Sequence, residues 1–390
     1  MKANILVNIL FISLLFVMSA CGGGSSTSVT NPPVIAERGA LISSDLVSTD
    51  RSILLPYTVN SHKLVYYTVD TNNNIIKASG LLSVPSKGAS EKSPIISYQH
   101  GTIFLDSQAP SIHASTLEGI ATLAGTGYIV SAPDFIGYGE SSALIHPYMH
   151  AESLASASID MLRASKSFLF NNNIQVNEQL FLTGYSEGGY ATLALQKAIQ
   201  EGFSSEFTVT ASAPGAGPFD LSETAKTLAN KITNDDPSYM SFVIKAYDST
   251  YALGKIDEIY QLPYRTIVNT YFDGNHSGSE IDTALSHTTS ELFEAPFLSA
   301  LQGTGSHILK DKLALNNIYD WKPNAPTRFY HGPNDEIVPY SNAITTLETM
   351  QANGATNVSL GICPLNTHVQ CAVPFVLDAL NFFSDYSQDL

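Results

Sequence analysis

Gly184-Tyr185-Ser186-Glu187-Gly188-Gly189 leaves this chain few folds to choose from. An apolar run, Gln179 to Thr183, precedes it, and a helix-like segment beginning Tyr190-Ala191-Thr192-Leu193 follows. Strand, glycine-flanked serine and helix in that order form the sharp turn that lifts a nucleophilic serine off the end of a sheet. A serine there has a strained backbone, and side chains two positions before and after it would collide, so glycine stands at both.

The rest of the chain supplies a sheet for that turn. His62 to Asp70 and Ile75 to Val84 alternate as a hairpin across Thr71-Asn72-Asn73-Asn74. Ser93 to His100, Gly127 to Ala132, Phe207 to Ser212, Thr327 to His331 and Val358 to Cys363 are short apolar runs of the kind that buried parallel strands make. Helical stretches fall between them, at Ser111 to Ala124, Ala151 to Phe170, Glu187 to Glu201, Ser341 to Asn353 and Val373 to Tyr386. A hairpin followed by alternating strand and helix predicts an α/β fold with a mostly parallel central sheet and helices on both faces. Residues 223 to 322 break the alternation, read as helical and are rich in aromatics, Trp321 included. They are expected to be an inserted helical cap over the strand ends, most of its aromatics forming its own core and a few lining an apolar pocket.

A serine hydroxyl needs a base, and the base needs a carboxylate to fix its tautomer. The strand from Thr327 runs into His331-Gly332-Pro333-Asn334-Asp335-Glu336, which makes Asp335 the candidate acid, Glu336 its possible substitute and His331 a structural residue. After a further helix and strand comes Asn366-Thr367-His368, and His368 is the candidate base. Of the ten histidines, His276, His287 and His307 compete but lie inside the cap stretch. Two backbone donors must face the developing oxyanion. One is the amide of Glu187; the other comes from the loop Tyr98-Gln99-His100-Gly101-Thr102, with Gly101 or Thr102 favoured. Pro133 to Ser141 reads as a structural turn. His146 and His150 invite a metal, but Pro147 interrupts their shared face, so neither a metal nor a cofactor is expected.

Thirty-five acidic and nineteen basic residues give a net charge of −16, which repels phosphate backbones and argues against nucleic acid. Lys2, the apolar run Ile5 to Val17 and Ser19-Ala20 read as a signal peptide over residues 1–20, too short for a membrane span. Cys21 directly after it resembles the lipobox of bacterial lipoproteins, which implies lipidation of Cys21. The glycine- and serine-rich start of 21–45 then reads as a tether, and Gly22 leans towards the outer membrane. The core is expected over 46–222 and 323–390, with the cap between. Cys363 and Cys371 remain; they bracket His368 and are expected to pair in an exported chain, two separate thiols being the alternative.

Tyr98-Gln99-His100-Gly101-Thr102, Ala132-Pro133-Asp134-Phe135-Ile136-Gly137-Tyr138-Gly139, His146-Pro147-Tyr148, the Ser186 turn and Asp335-Glu336-Ile337-Val338-Pro339 together resemble the secretory lipase family, from about residue 60 to the C-terminus. The resemblance implies an α/β-hydrolase acting on carboxylic esters of small molecules or lipids, with Ser186, Asp335 and His368 as triad. Glu187 departs from the pattern, since that position is often uncharged; its side chain is expected to turn away from the reacting carbon. A peptidase of the prolyl-oligopeptidase type shares the triad order but usually carries a large N-terminal propeller, for which this chain has little room. A non-catalytic surface binding protein is the third alternative.

Overall fold

The computed structural model describes residues 36–113, 118–303, 305–365 and 367–390; the signal peptide, Cys21 and most of the expected tether lie outside them. Among the described residues nine strands form one sheet: β1 (Leu41–Asp50), β2 (Val59–Val69), β3 (Ile75–Pro85), β4 (Ser93–Gln99), β5 (Ile129–Pro133), β6 (Val176–Tyr185), β7 (Val209–Gly215), β8 (Thr327–His331) and β9 (Val358–Ile362). Their order is β1-β2-β3-β5-β4-β6-β7-β8-β9. The first three pair antiparallel, β3 joins β5 antiparallel, and every pair from β5 to β9 is parallel.

Around the sheet lie α1 (Glu118–Gly125), α2 (Ala151–Asn171), α3 (Glu187–Gly202), α12 (Ser341–Ala352) and α13 (His368–Ser384). Between β7 and β8 run α4 (Leu221–Ala229), α5 (Pro237–Thr250), α6 (Ile256–Ile259), α7 (Tyr264–Thr270), α8 (Gly278–Ala284), α9 (Thr289–Leu292), α10 (Ala295–Gln302) and α11 (Ile308–Leu315). Among the described residues no helix is long and apolar enough to cross a membrane.

Successive residues of a strand face opposite sides, and this chain uses both. Ile95, Leu180 and Leu182 pack with Ile159 and Leu162 of α2 and Leu195 and Ile199 of α3. Their neighbours Ile96 and Phe181 pack on the other face with Ile120 and Leu123 of α1 and Phe375 and Phe383 of α13. A sheet covered on both faces explains why its strands read as unbroken apolar runs. A third core holds Tyr247, Tyr260, Phe293 and Phe297 of the segment between β7 and β8, continuous with Tyr148, Tyr190 and Phe219 beneath it.

Several boundaries differ from the sequence expectation: β2 begins at Val59 rather than His62, and α1 is Glu118–Gly125 rather than starting at Ser111, which lies in a turn. A tether reaching residue 45 is too long, since β1 begins at Leu41. This outermost strand is mostly exposed and polar, so it carries no apolar alternation to read. Helix α13 begins at His368, five residues before the expected Val373, because the Thr367 side chain caps it by accepting from the Gln370 amide at 3.2 Å.

Candidate active site

β6 ends at Tyr185 and α3 begins at Glu187, so Ser186 alone makes the turn, with φ 62° and ψ −122°. Its amide donates to Gly215 O at 2.9 Å, tying the turn to β7. A Cβ on Gly184 would strike the carbonyls of Gln99 and Gly188, and one on Gly188 would strike Gln99 again. The glycines therefore admit the end of β4 as well as relieving the turn itself.

The C-terminal ends of β8 and β9 bring two further residues to Ser186. His368 Nε2 lies 2.8 Å from Ser186 Oγ, and its Nδ1 lies 2.6 Å from Asp335 Oδ2. The Asp335 side chain is almost wholly buried, and its Oδ1 accepts the amides of Ile337 at 3.0 Å and Val338 at 2.8 Å. His331 Nε2 sits 3.1 Å from Asp335 Oδ2 and 3.0 Å from Val338 O, both acceptors, so Nε2 carries that ring's proton and its Nδ1 has no partner. Burial alone would raise the Asp335 carboxyl, but the hydrogen bonds from His331 and then His368 outweigh it and hold it well below the ordinary carboxylate range. Glu336 plays a different part, its Oε2 accepting the backbone amide of His368 at 2.9 Å. The Tyr185 hydroxyl donates to His368 O at 2.8 Å. Cys363 and Cys371 are joined, Cα to Cα 5.8 Å, which closes the loop carrying His368; Asn366 in that loop lies outside the described residues.

The loop after β4 meets the Ser186 turn from the other side. A Cβ on Gly101 would sit 3.1 Å from Tyr185 O and 3.9 Å from Ser186 Cβ, so Gly101 lies against Ser186. The Thr102 hydroxyl is 2.8 Å from the Tyr148 hydroxyl, and the His100 ring lies between the carbonyls of Gly101 and Asp134. Glu187 does not face solvent: its carboxylate is fully buried against His146, Oε1 to Nε2 2.7 Å.

Ser186 opens into a mostly apolar cavity whose empty space, open mouth included, is about 770 Å³. Its walls are Leu221 of α4, Met240 and Val243 of α5, Leu301 of α10 and Leu309 of α11. Asp236 and Tyr239 also line it. Burial, then the charges of Asp282, Asp235 and Glu336, raise Asp236; burial, then Asp236, Asp282 and Glu336, push Tyr239 up to about 12.

The other histidines lie elsewhere. His276 stacks on Tyr271 beside Asp273, His307 caps α11, and the carbonyl of His287 accepts from Asn234. His146 and His150 do not converge, since His150 caps α2. Among the described residues no group of three or more His, Cys, Asp or Glu could hold a metal ion. Sequence reasoning missed the contact of His331 with Asp335, the pairing of His146 with Glu187, and Tyr148 and Asp236 in the cavity wall. The His146-Pro147-Tyr148 run was the one signal pointing at two of these.

Comparison with known proteins agrees with this architecture. The model of the family described as "Secretory lipase" matches residues 108–385. A secreted triacylglycerol lipase of Malassezia furfur, LIP5, is 24% identical over 321 residues, covering 79% of this chain and 74% of that protein. The rice cell wall degrading esterase LipA of Xanthomonas oryzae superposes with a TM-score of 0.84 at 26% identity, over 90% of this chain and 100% of that one. Candida antarctica lipase A, at 18% identity and a TM-score of 0.66 over 91% of this chain and 84% of its own, shares the fold. Family membership and the secreted relative mark the chain as exported. A family match over more than two thirds of the chain, joined to a sheet that delivers a serine turn into an apolar cavity, leaves one conclusion: the chain belongs to the secretory lipase family, and it is an α/β-hydrolase that cleaves carboxylic esters.

Proposed function

We propose that Ser186, His368 and Asp335 are nucleophile, base and orienting acid in the hydrolysis of esters whose acyl chain occupies the apolar cavity. One observation carries the reading: an unbroken hydrogen-bonded run from Asp335 through His368 to Ser186, with Ser186 at the cavity wall. Ser186 Oγ attacks the ester carbonyl carbon while His368 Nε2 takes its proton, and the carbonyl electrons move to the oxygen. The amide of Glu187, at the positive end of α3, and that of Gly101 or Thr102 face this oxyanion. Collapse expels the alcohol, which receives the proton from His368, and leaves the acyl group on Ser186. Water then attacks with His368 again as base, releasing the carboxylic acid and restoring Ser186.

Residues 223–322 act in this reading as a cap whose helices, with α4 at its base, supply the acyl site through α5, α10 and α11. A panel of p-nitrophenyl esters from acetate to palmitate tests it. Val243→Phe, which adds a ring inside the cavity, is expected to lower kcat/KM for decanoate and longer chains about 10-fold or more while acetate stays within about 3-fold. An equal loss at every chain length would remove the acyl chain from this cavity. Hydrolysis of the matching anilides at comparable rates would favour a peptidase instead.

At the N-terminus we propose a lipoprotein signal over residues 1–20, lipidation of Cys21 and a tether that holds the enzyme at a membrane, supported by its sequence and by export of the family. A Gly after the lipidated cysteine favours the outer membrane. Palmitate incorporation by cells expressing the full chain is expected and should vanish in Cys21→Ser; label retained in that variant would overturn the anchor.

A further inference from the structure

The buried pair of His146 and Glu187 is used by no step above, and its protons can be counted. His146 Nδ1 lies 2.6 Å from Ile136 O, which can only accept, so Nδ1 carries a proton. Its Nε2 lies 2.7 Å from Glu187 Oε1. Two lone pairs cannot face each other at that distance, so one more proton lies between them. Whether it sits on the ring or on the carboxyl, the pair has no net charge. Glu187 Oε2 is buried without a hydrogen-bond partner, a position an ionised carboxylate tolerates worst. The pair is buried among rings, the His146 side chain 2% exposed and that of Glu187 0%: Tyr138 lies 4.8 Å from the His146 ring, and Phe135, Tyr148 and Phe242 stand at 5.8–6.1 Å. The two phenols are committed elsewhere, Tyr138 to Ile103 O and Tyr148 to Thr102.

Glu187 is also the residue whose amide follows the nucleophile. A free carboxylate on that residue, within one side-chain length of the oxyanion and in a buried site, would oppose the charge that catalysis must stabilise. The chain has built around the partner that prevents this. At Gly137, φ +94°, a Cβ would run into the backbone of His146, so the turn after β5 is shaped to let His146 in.

We propose that His146 is a positioning residue for ester hydrolysis: by sharing one proton with Glu187 it neutralises and fixes the side chain of the oxyanion-binding residue. The inference rests on Ser186 as nucleophile and on the Glu187 amide as oxyanion donor. Its distinctive consequence is a rescue. Gln at 187 can donate its amide to Nε2 of a neutral His146, so Glu187→Gln should keep kcat within about 5-fold of wild type. His146→Gln leaves the carboxylate charged, and kcat should fall on the order of 100-fold with KM within about 3-fold. Affinity for a trifluoromethyl ketone, which forms the tetrahedral adduct, should fall in parallel with kcat. The double variant E187Q/H146Q should regain at least about 10-fold over His146→Gln, which loss of packing alone would not permit. If His146→Gln does not fold, His146→Asn, which keeps a donor for Ile136 O, carries the same comparison. A double variant no better than the single, or a His146 single variant within about 3-fold of wild type, overturns the proposal. Fluorophosphonate labelling of Ser186→Ala separates the two levels. Labelling retained there removes the nucleophile beneath this inference, whereas labelling lost there with His146→Gln unimpaired removes this inference alone.

Discussion

Ser186→Ala should lose kcat by about a millionfold, with KM little changed and labelling by a fluorophosphonate probe abolished. The size follows from what is left behind. His368 and Asp335 without a hydroxyl have nothing to activate at the acyl carbon, so only binding and oxyanion stabilisation remain, roughly 10³–10⁴-fold over water. KM holds because the cavity walls from α4, α5, α10 and α11 are untouched. The fold holds too. Ala accepts the φ of 62° no better and no worse than Ser, and the turn is tied by its own amide to Gly215 O. Ser186→Gly is the informative contrast: it is equally inactive but should be more stable, because glycine relieves a backbone conformation that costs a side-chain-bearing residue roughly 1–3 kcal/mol. An inactive enzyme with a raised Tm would mark the strain at Ser186 as held for catalysis. Labelling that survives Ser186→Ala would move the nucleophile elsewhere.

The elbow was legible because its demands are local. A serine at positive φ between a strand and a helix needs small residues within three positions, and those stand in the sequence beside it. Asp335 and His368 were legible for a related reason. Parallel strands deliver their C-terminal ends to one edge, so a polar residue just past an apolar run lands near the serine without further information. What could not be read is what depends on two loops meeting. His146 reaches Glu187 across 41 residues, and nothing in a histidine followed by proline says that its partner is the residue after Ser186. His331 read as structural, yet it sits on the same carboxylate oxygen as His368, because the turn from 332 to 335 folds Asp335 back over its own strand end. The cavity beside Ser186 takes most of its wall from four helices spread along the segment between β7 and β8, each contributing one or more ordinary apolar side chains. β1 was missed for the opposite reason: it has one neighbour and a mostly exposed surface, so no burial pattern was ever imposed on it.

Asp335→Asn should lower kcat by about 10⁴-fold, and the hydrogen bonds around it dictate why. Oδ1 is claimed by two amide donors, Ile337 and Val338. The asparagine must therefore keep its oxygen there, which puts its amino group where Oδ2 was, facing His368 Nδ1 and His331 Nε2. His368 Nδ1 then has to accept rather than donate, its proton moves to Nε2, and the nitrogen opposite Ser186 Oγ is no longer a base. His331 meets the same reversal and can answer it only by moving its proton to Nδ1, giving up Val338 O. Stability should therefore fall along with activity, by roughly 1–3 kcal/mol at pH 7. The pH dependence of that loss has a fixed sign. The Asp335 carboxyl is held below its ordinary value in the folded protein, so its stabilisation is complete above the unfolded value, about 3.9, and disappears as pH falls below that towards the folded one. The part of the gap between wild type and Asp335→Asn that comes from Asp335 ionisation, measured by denaturant unfolding, should be fully present above about pH 5 and shrink as pH falls below about 4. Activity lost between pH 7 and 4 does not come from Asp335, which stays ionised throughout that interval. Glu336→Gln keeps an oxygen for the His368 amide and should cost less than about 10-fold, since its hydrogen bond in the site is to that backbone amide. The reverse ranking, with Glu336→Gln inactive and Asp335→Asn near wild type, would hand the acid's role to Glu336.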